Sequence, residues 1–180
     1  MRLHTRLAIT TLAVGTLGAG LTLPAEAVTV PAVSFSSGAS AAVKSDRTTP
    51  AASRSASRAL AMRAAAVRTA RAKAPRASYV GGAAGPNSFD CSGFTSWVWK
   101  QAGKSIPRTS YSQYAGLKYV SRSQARPGDL AFYFRGGAHH VELYLGNNKT
   151  IGCSNSRTDC GVKSISGWYG ERFSGFRRVV

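Results

Sequence analysis

The sequence predicts an α+β fold, a helical layer followed by an antiparallel sheet, and two observations predict it. Between Cys91 and about Ala102 the apolar residues Phe94, Trp97, Val98 and Ala102 recur at three and four, the period of a helix with one buried stripe, and Gly103 is its stop. Beyond it, apolar runs of strand length alternate with Gly, Asn and Pro turns to the C-terminus.

The elements follow in order. A loop of small residues, Gly81 to Ser88, delivers Phe89 and Asp90 to the helix start, where Asp90 is a natural N-cap. A short helix carries Tyr111, Tyr114 and Leu117, and Pro127-Gly128-Asp129 is a turn. Leu130 to Phe134 and His140 to Leu145 are neighbouring strands joined through Gly136-Gly137. Gly146-Asn147-Asn148-Lys149 is a hairpin turn, because Asn tolerates positive φ, and Thr150 to Cys153 returns as the next strand. Val162 to Ile165 and Phe176 to Val180 are further strands.

Ahead of this domain the chain divides twice. Arg2 and Arg6 precede a mostly apolar run from Leu7 to Leu23 that ends in Ala25-Glu26-Ala27, the pattern of a secretory signal with cleavage after residue 27. The run contains Thr10, Thr11, Thr16 and three glycines and is at the short end of a bilayer span, so it reads less well as an anchor. No later segment is apolar enough to cross a membrane, and a secreted or wall-associated protein is expected. Residues 28–77 are rich in Ala, Ser and Arg, with nine Lys or Arg against Asp46 alone. They read as a basic linker or pro-segment, disordered to about Thr49 and helical from Ser53 to Lys73, with Pro75 marking the end. The folded domain is residues 78–180.

The formal net charge is +17, from 24 Lys or Arg and 7 Asp or Glu. Outside a cell such a balance favours anionic wall polymers or acidic lipid head groups. Nucleic acid is not expected, since no helix-turn-helix, zinc-ligand or aromatic RNA-binding signature accompanies the charge.

Cys91 is the candidate nucleophile. A helix start presents unpaired backbone N–H groups that favour an anion, and the thiolate is the attacking form of cysteine. Three cysteines leave one over if two pair, and Cys153 with Cys160 is the natural pair across a short polar loop; the alternative is a free, half-buried Cys153. Such a bridge stabilises by about 2 kcal/mol. No cysteine and histidine cluster has zinc-ligand spacing, so no metal is expected.

Four segments in fixed order resemble the NlpC family of papain-like cell-wall peptidases. They are Phe89-Asp90-Cys91-Ser92-Gly93-Phe94, then Pro107-Arg108-Thr109-Ser110 with Gln113, then Pro127-Gly128-Asp129-Leu130, and finally His140-Val141-Glu142-Leu143-Tyr144-Leu145-Gly146-Asn147. The resemblance runs from near Tyr79 to the C-terminus. It implies a papain-like fold and a thiol peptidase in which His140 pairs with Cys91, acting on the stem peptides of peptidoglycan, with no cofactor. In the family the bond is usually that from the γ-carboxyl of D-glutamate to the next diamino acid. An amidase or acyl transferase built on the same pair would look alike in sequence.

Neighbouring strand residues point to opposite faces, so only one of His139 and His140 can face Cys91, and the resemblance selects His140. The position matching the family's third, histidine-orienting residue is Gly152, which has no side chain. Glu142, on the same strand face as His140, Asn155, Ser154 or a backbone carbonyl must then hold the imidazole, unless Glu142 is a solvent-facing residue. A protein that has lost catalysis and only binds the wall is the competing outcome. Tyr79 matches a substrate-binding tyrosine or is a packing residue, and Val80 stands where the family often has an aromatic. Asp90 and Ser92 match residues that bind a free amine, or serve the helix cap. Arg108 contacts a substrate carboxylate or forms a structural ion pair. The backbone N–H of Cys91 is the expected oxyanion donor.

Overall fold

The computed structural model describes residues 49–137, 139–155, 159–167 and 170–180. The expected signal and the first part of the basic segment, through residue 48, lie outside the described residues.

Helix α1, Pro50–Lys73, starts three residues earlier than its composition suggests, because Thr49 caps it through a hydrogen bond from Ala52 N and Pro50 occupies the first turn. It does not behave as a linker. Ala66 and Ala70, with Ala74 at the C-terminal cap, recur every four residues, are buried, and join the main core. Their small side chains let the backbone approach closely. Arg63, also buried, donates from Nε and Nη2 to the Pro127 carbonyl at 3.1 and 2.9 Å. Among the described residues the compact unit therefore begins ahead of residue 78 and includes α1.

Two short strands, β1 (Ser78–Tyr79) and β2 (Ser88–Phe89), pair in parallel and frame the loop before helix α2, Cys91–Gln101. Helix α3, Ser110–Gly116, opens on a capping box between Thr109 and Ser112. The remaining strands are β3 (Lys118–Val120), β4 (Leu130–Tyr133), β5 (His140–Gly146), β6 (Lys149–Asn155), β7 (Asp159–Ser164) and β8 (Phe173–Arg178). They form one antiparallel sheet in the order β3-β8-β4-β5-β6-β7. Asn147 and Asn148 carry the β5–β6 turn at φ of 49° and 58°.

Alternation divides the sheet. Leu130, Phe132, Val141, Leu143 and Ile151 pack with Phe89, Phe94, Val98 and Trp99 in the core shared with the helices. Ala131, Tyr133 and Phe176 belong to a second cluster with Val120 and Ile165. Asp129, read from sequence as part of a turn, is buried and bound by Arg178 through paired contacts of 2.9 and 2.8 Å. Among the described residues no helix is long and apolar enough to cross a membrane.

Candidate active site

The site forms where the start of α2 meets the start of β5. Asp90 caps α2 by accepting from Gly93 N at 2.6 Å, which puts Cys91 in the first turn. Gly93 is dictated by space: a Cβ there would lie 2.1 Å from the Ala83 carbonyl oxygen. Cys91 is partly exposed, carries the free thiol among the described residues, and has its Sγ 4.0 Å from the His139 carbonyl oxygen.

Of the two histidines, His140 is buried and hydrogen-bonded to the Cys91 side chain, whereas His139 is exposed with its ring against Phe134. The Nε2 atom of His140 lies 3.1 Å from Glu142 Oε1 and 3.4 Å from Ser154 Oγ, which leaves Nδ1 for the sulfur. Glu142 is not a solvent-facing residue; it is buried. Ser154 donates to its Oε1 at 2.8 Å, Thr150 donates to Oε2, and Lys163 Nζ lies 3.5 Å from Oε1. Burial alone would lower the imidazole, but hydrogen bonds to Cys91 and Glu142 and the nearby negative charge raise it to about 9. Burial would likewise raise the Glu142 carboxyl, yet His140, Lys163 and Thr150 hold it well below the ordinary carboxylate range.

Asp90, Ser92 and Arg108 are linked at the start of α2. Arg108 grips Asp90 in a fork, Nη1 to Oδ1 at 3.0 Å and Nη2 to Oδ2 at 2.8 Å, and also donates to Ser92 Oγ and to the carbonyls of Gly82 and Ala83. Burial would raise Asp90, but Arg108 and the Gly93 N–H keep it below its usual value. Asp90, Ser92 and Arg108 thus clamp the 82–90 loop to the helix start. Tyr79 pairs with Phe89, two residues before Cys91, and its backbone N–H donates to Asp159 Oδ1 at 3.1 Å. Asn155 ends β6 and is half-buried. Cys153 and Cys160, cross-strand partners on β6 and β7, are bridged.

Sequence reasoning missed Thr150, Lys163 and Tyr133, whose ring centroid is 5.6 Å from that of His140. The alternation of Thr150, Gly152 and Ser154 along one face was the available signal. No cluster of three His, Cys, Asp or Glu suited to a metal occurs among the described residues.

A nucleophile motif and a histidine strand that meet in space are matched by a family model over residues 76–178, described as the NlpC/P60 family. The chain belongs to the NlpC/P60 family. It is 46% identical over 103 residues to a probable endopeptidase p60 of Listeria welshimeri, covering 57% of this chain and 20% of that protein. The chain therefore spans about a fifth of the length of that relative. Among solved NlpC/P60 structures, the peptidoglycan hydrolase RipB of Mycobacterium tuberculosis superposes with a TM-score of 0.59 at 28% identity, covering 69% of this chain and 67% of that one. RipD of the same organism, described as a non-catalytic NlpC/p60 domain protein adapted to peptidoglycan binding, gives a TM-score of 0.57 at 25% identity, with coverage of 66% and 98%.

Proposed function

We propose that the protein is a secreted or wall-associated cysteine endopeptidase that hydrolyses an amide bond in the stem peptide of peptidoglycan. The observation that carries this reading is the meeting of Cys91, at a helix start, with a buried His140 that is itself bound to the buried Glu142 carboxylate. A histidine beside a cysteine sulfur is the pairing of a thiol nucleophile with its proton carrier. The RipB name supplies the substrate class, peptidoglycan, and the Listeria name the reaction class, endopeptidase.

In the reaction, Cys91 Sγ attacks the amide carbonyl carbon and forms the carbon–sulfur bond. The oxygen gathers negative charge beside the backbone N–H of Cys91, which has no acceptor within the helix. His140 gives its proton to the leaving nitrogen as the carbon–nitrogen bond breaks, leaving a thioester. Water then attacks the thioester while His140 takes its proton, and the thiolate departs with the acid product released. No step needs a metal or an organic cofactor. Following the family's habit, the bond is that from the γ-carboxyl of D-glutamate to the next diamino acid.

The competing reading is a protein that binds the wall without cutting it, favoured by the missing side chain at Gly152 and the likeness to RipD. Mass spectrometry of muropeptides after incubation with reduced wild-type protein and with Cys91→Ala separates these. New amine termini from wild type alone support the hydrolase and name the bond. Wall retention with no new termini from either assigns the protein to binding. Transfer of the acyl group to an added amine marks an acyl transferase.

A further inference from the structure

The most deeply buried acidic side chain near the site is one that the family pattern does not supply. Glu142 is 1% exposed and stands on β5 two residues from His140. Removing a carboxylate from water costs several kcal/mol unless partners replace its hydration. Here they do: His140 on Oε1 from its own strand, Ser154 on Oε1 and Thr150 on Oε2 from β6, and Lys163 from β7. Lys163 Nζ also donates to the Gly152 carbonyl at 3.1 Å, so one ammonium ties the carboxylate to the strand beside it.

That neighbouring strand has been emptied to admit it. The pairing of Leu143 with Ile151 sets Glu142 alongside Gly152. A Cβ at 152 would lie 2.9 Å from Glu142 Cγ and 3.2 Å from its Cβ. Gly152 does not adopt the positive φ that favours glycine, so its lack of a side chain answers to space, not to backbone conformation. A side chain at 152 and the carboxylate of 142 are alternative occupants of one volume.

We propose that Glu142 is the positioning residue for His140, supplied from the histidine's own strand, and that Gly152 is the vacancy that admits it. Ser154 and Thr150 fix the carboxylate, the carboxylate fixes Nε2, and Nδ1 is thereby aimed at Cys91. The inference rests on the thiol mechanism above for its catalytic consequence, but the geometry holds without it. The titratable groups facing the pair are Cys91 from α2, Tyr133 from β4 and Lys163 from β7.

The test joins variants to a readout that needs no peptidoglycan. The imidazole of His140 is titrated by NMR, alongside the pH dependence of Cys91 alkylation by iodoacetamide. Wild-type His140 is expected to keep its proton above the ordinary imidazole range. Glu142→Gln preserves a hydrogen-bond acceptor and removes the charge. It should lower kcat at least about tenfold with KM unchanged, and move the His140 titration to lower pH. Gly152→His alone should lose activity by crowding Glu142, and Glu142→Gly combined with Gly152→His should recover most of that loss. An unchanged kcat and titration in Glu142→Gln overturns the proposal. So does a wild-type His140 titrating at or below the ordinary range, a measurement that survives any misfolded variant. If wild type releases no amine while its titration follows Glu142, the hydrolase reading fails and the positioning role stands.

Discussion

Two ion pairs flank the reacting atoms, and they differ in their access to water. Asp90 and Arg108, on the nucleophile side, have side chains 15% and 40% exposed; His140 and Glu142, on the histidine side, are 4% and 2% exposed. The first pair has water beside it, so its attraction is screened and its main effect is to pin the 82–90 loop to the helix start. The second is shielded from water, so its charges are less screened and an unmatched one is costly. Placement of the nucleophile is thus robust to loss of one contact, whereas placement of the histidine depends on a closed network.

The contrast is tested at the largest scale by removing the nucleophile itself. Cys91→Ala should reduce amide hydrolysis by at least about a thousandfold while leaving the thermal unfolding midpoint within a few degrees, because the thiol is partly exposed and its loss leaves the bond between His140 and Glu142 in place. A variant that retains hydrolysis would detach the reaction from this site altogether.

On the dry side, Gly152→Leu should cost about 1–3 kcal/mol of stability and also suppress activity, since the new side chain meets Glu142 at its Cβ and Cγ. Denaturant unfolding beside steady-state kinetics measures both effects. The pair also gives stability a pH profile. His140 is raised, so its contribution is complete below the ordinary imidazole range near 6.5 and fades as pH climbs through about 9. Glu142 is lowered, so its contribution is complete above the ordinary carboxylate range and fades as pH falls below it. Stability should therefore peak in mildly acidic solution, and Glu142→Gln should flatten the alkaline fall. A wild-type profile flat from neutral pH to 10 would contradict the coupling.

These two sides were unequally legible in the sequence. The nucleophile side is written in consecutive residues: a cap, a cysteine, a small residue and a helical stripe, each local. Period two also put His140 and Glu142 on one strand face. What it left undetermined was whether that face is buried, since this depends on side chains that other strands bring beside it, such as Tyr133, Thr150, Ser154 and Lys163. Pairing of Leu143 with Ile151, which sets Gly152 beside Glu142, is likewise a property of the sheet. Helix α1 was legible as a helix but not as part of the core. Its contact face is Ala66 and Ala70, with Ala74 at its C-terminal cap, and alanine marks a helix without marking which side is covered. The strands β1, β2 and β3 span only two or three residues each, too short for alternation to show.

On the wet side, Arg108→Ala should cost only about 1 kcal/mol, since a guanidinium 40% exposed is screened by water. Its kinetic effect should appear in KM more than in kcat, because the loop it holds borders the site while His140 and Cys91 keep their own contacts. A loss in kcat as large as that of Glu142→Gln would erase the distinction between the two pairs.

The smallest effect is expected farthest from the chemistry. Arg54, Arg58, Arg68 and Arg71 on α1 are exposed, and charges so placed attract a polyanion without orienting anything in the site. Replacing all four with Gln should weaken sedimentation of the protein with anionic cell walls, and this loss should vanish in high salt, where the Debye length shrinks to about 3 Å. Hydrolysis of a soluble stem peptide should not change. Because Ala66, Ala70 and Ala74 belong to the core, point changes on the exposed face test the charge without removing the packing, which deletion of the whole segment cannot do. Equal wall retention at low salt would leave the positive surface of α1 without a part in binding, and would place any affinity for the wall in the domain that holds Cys91.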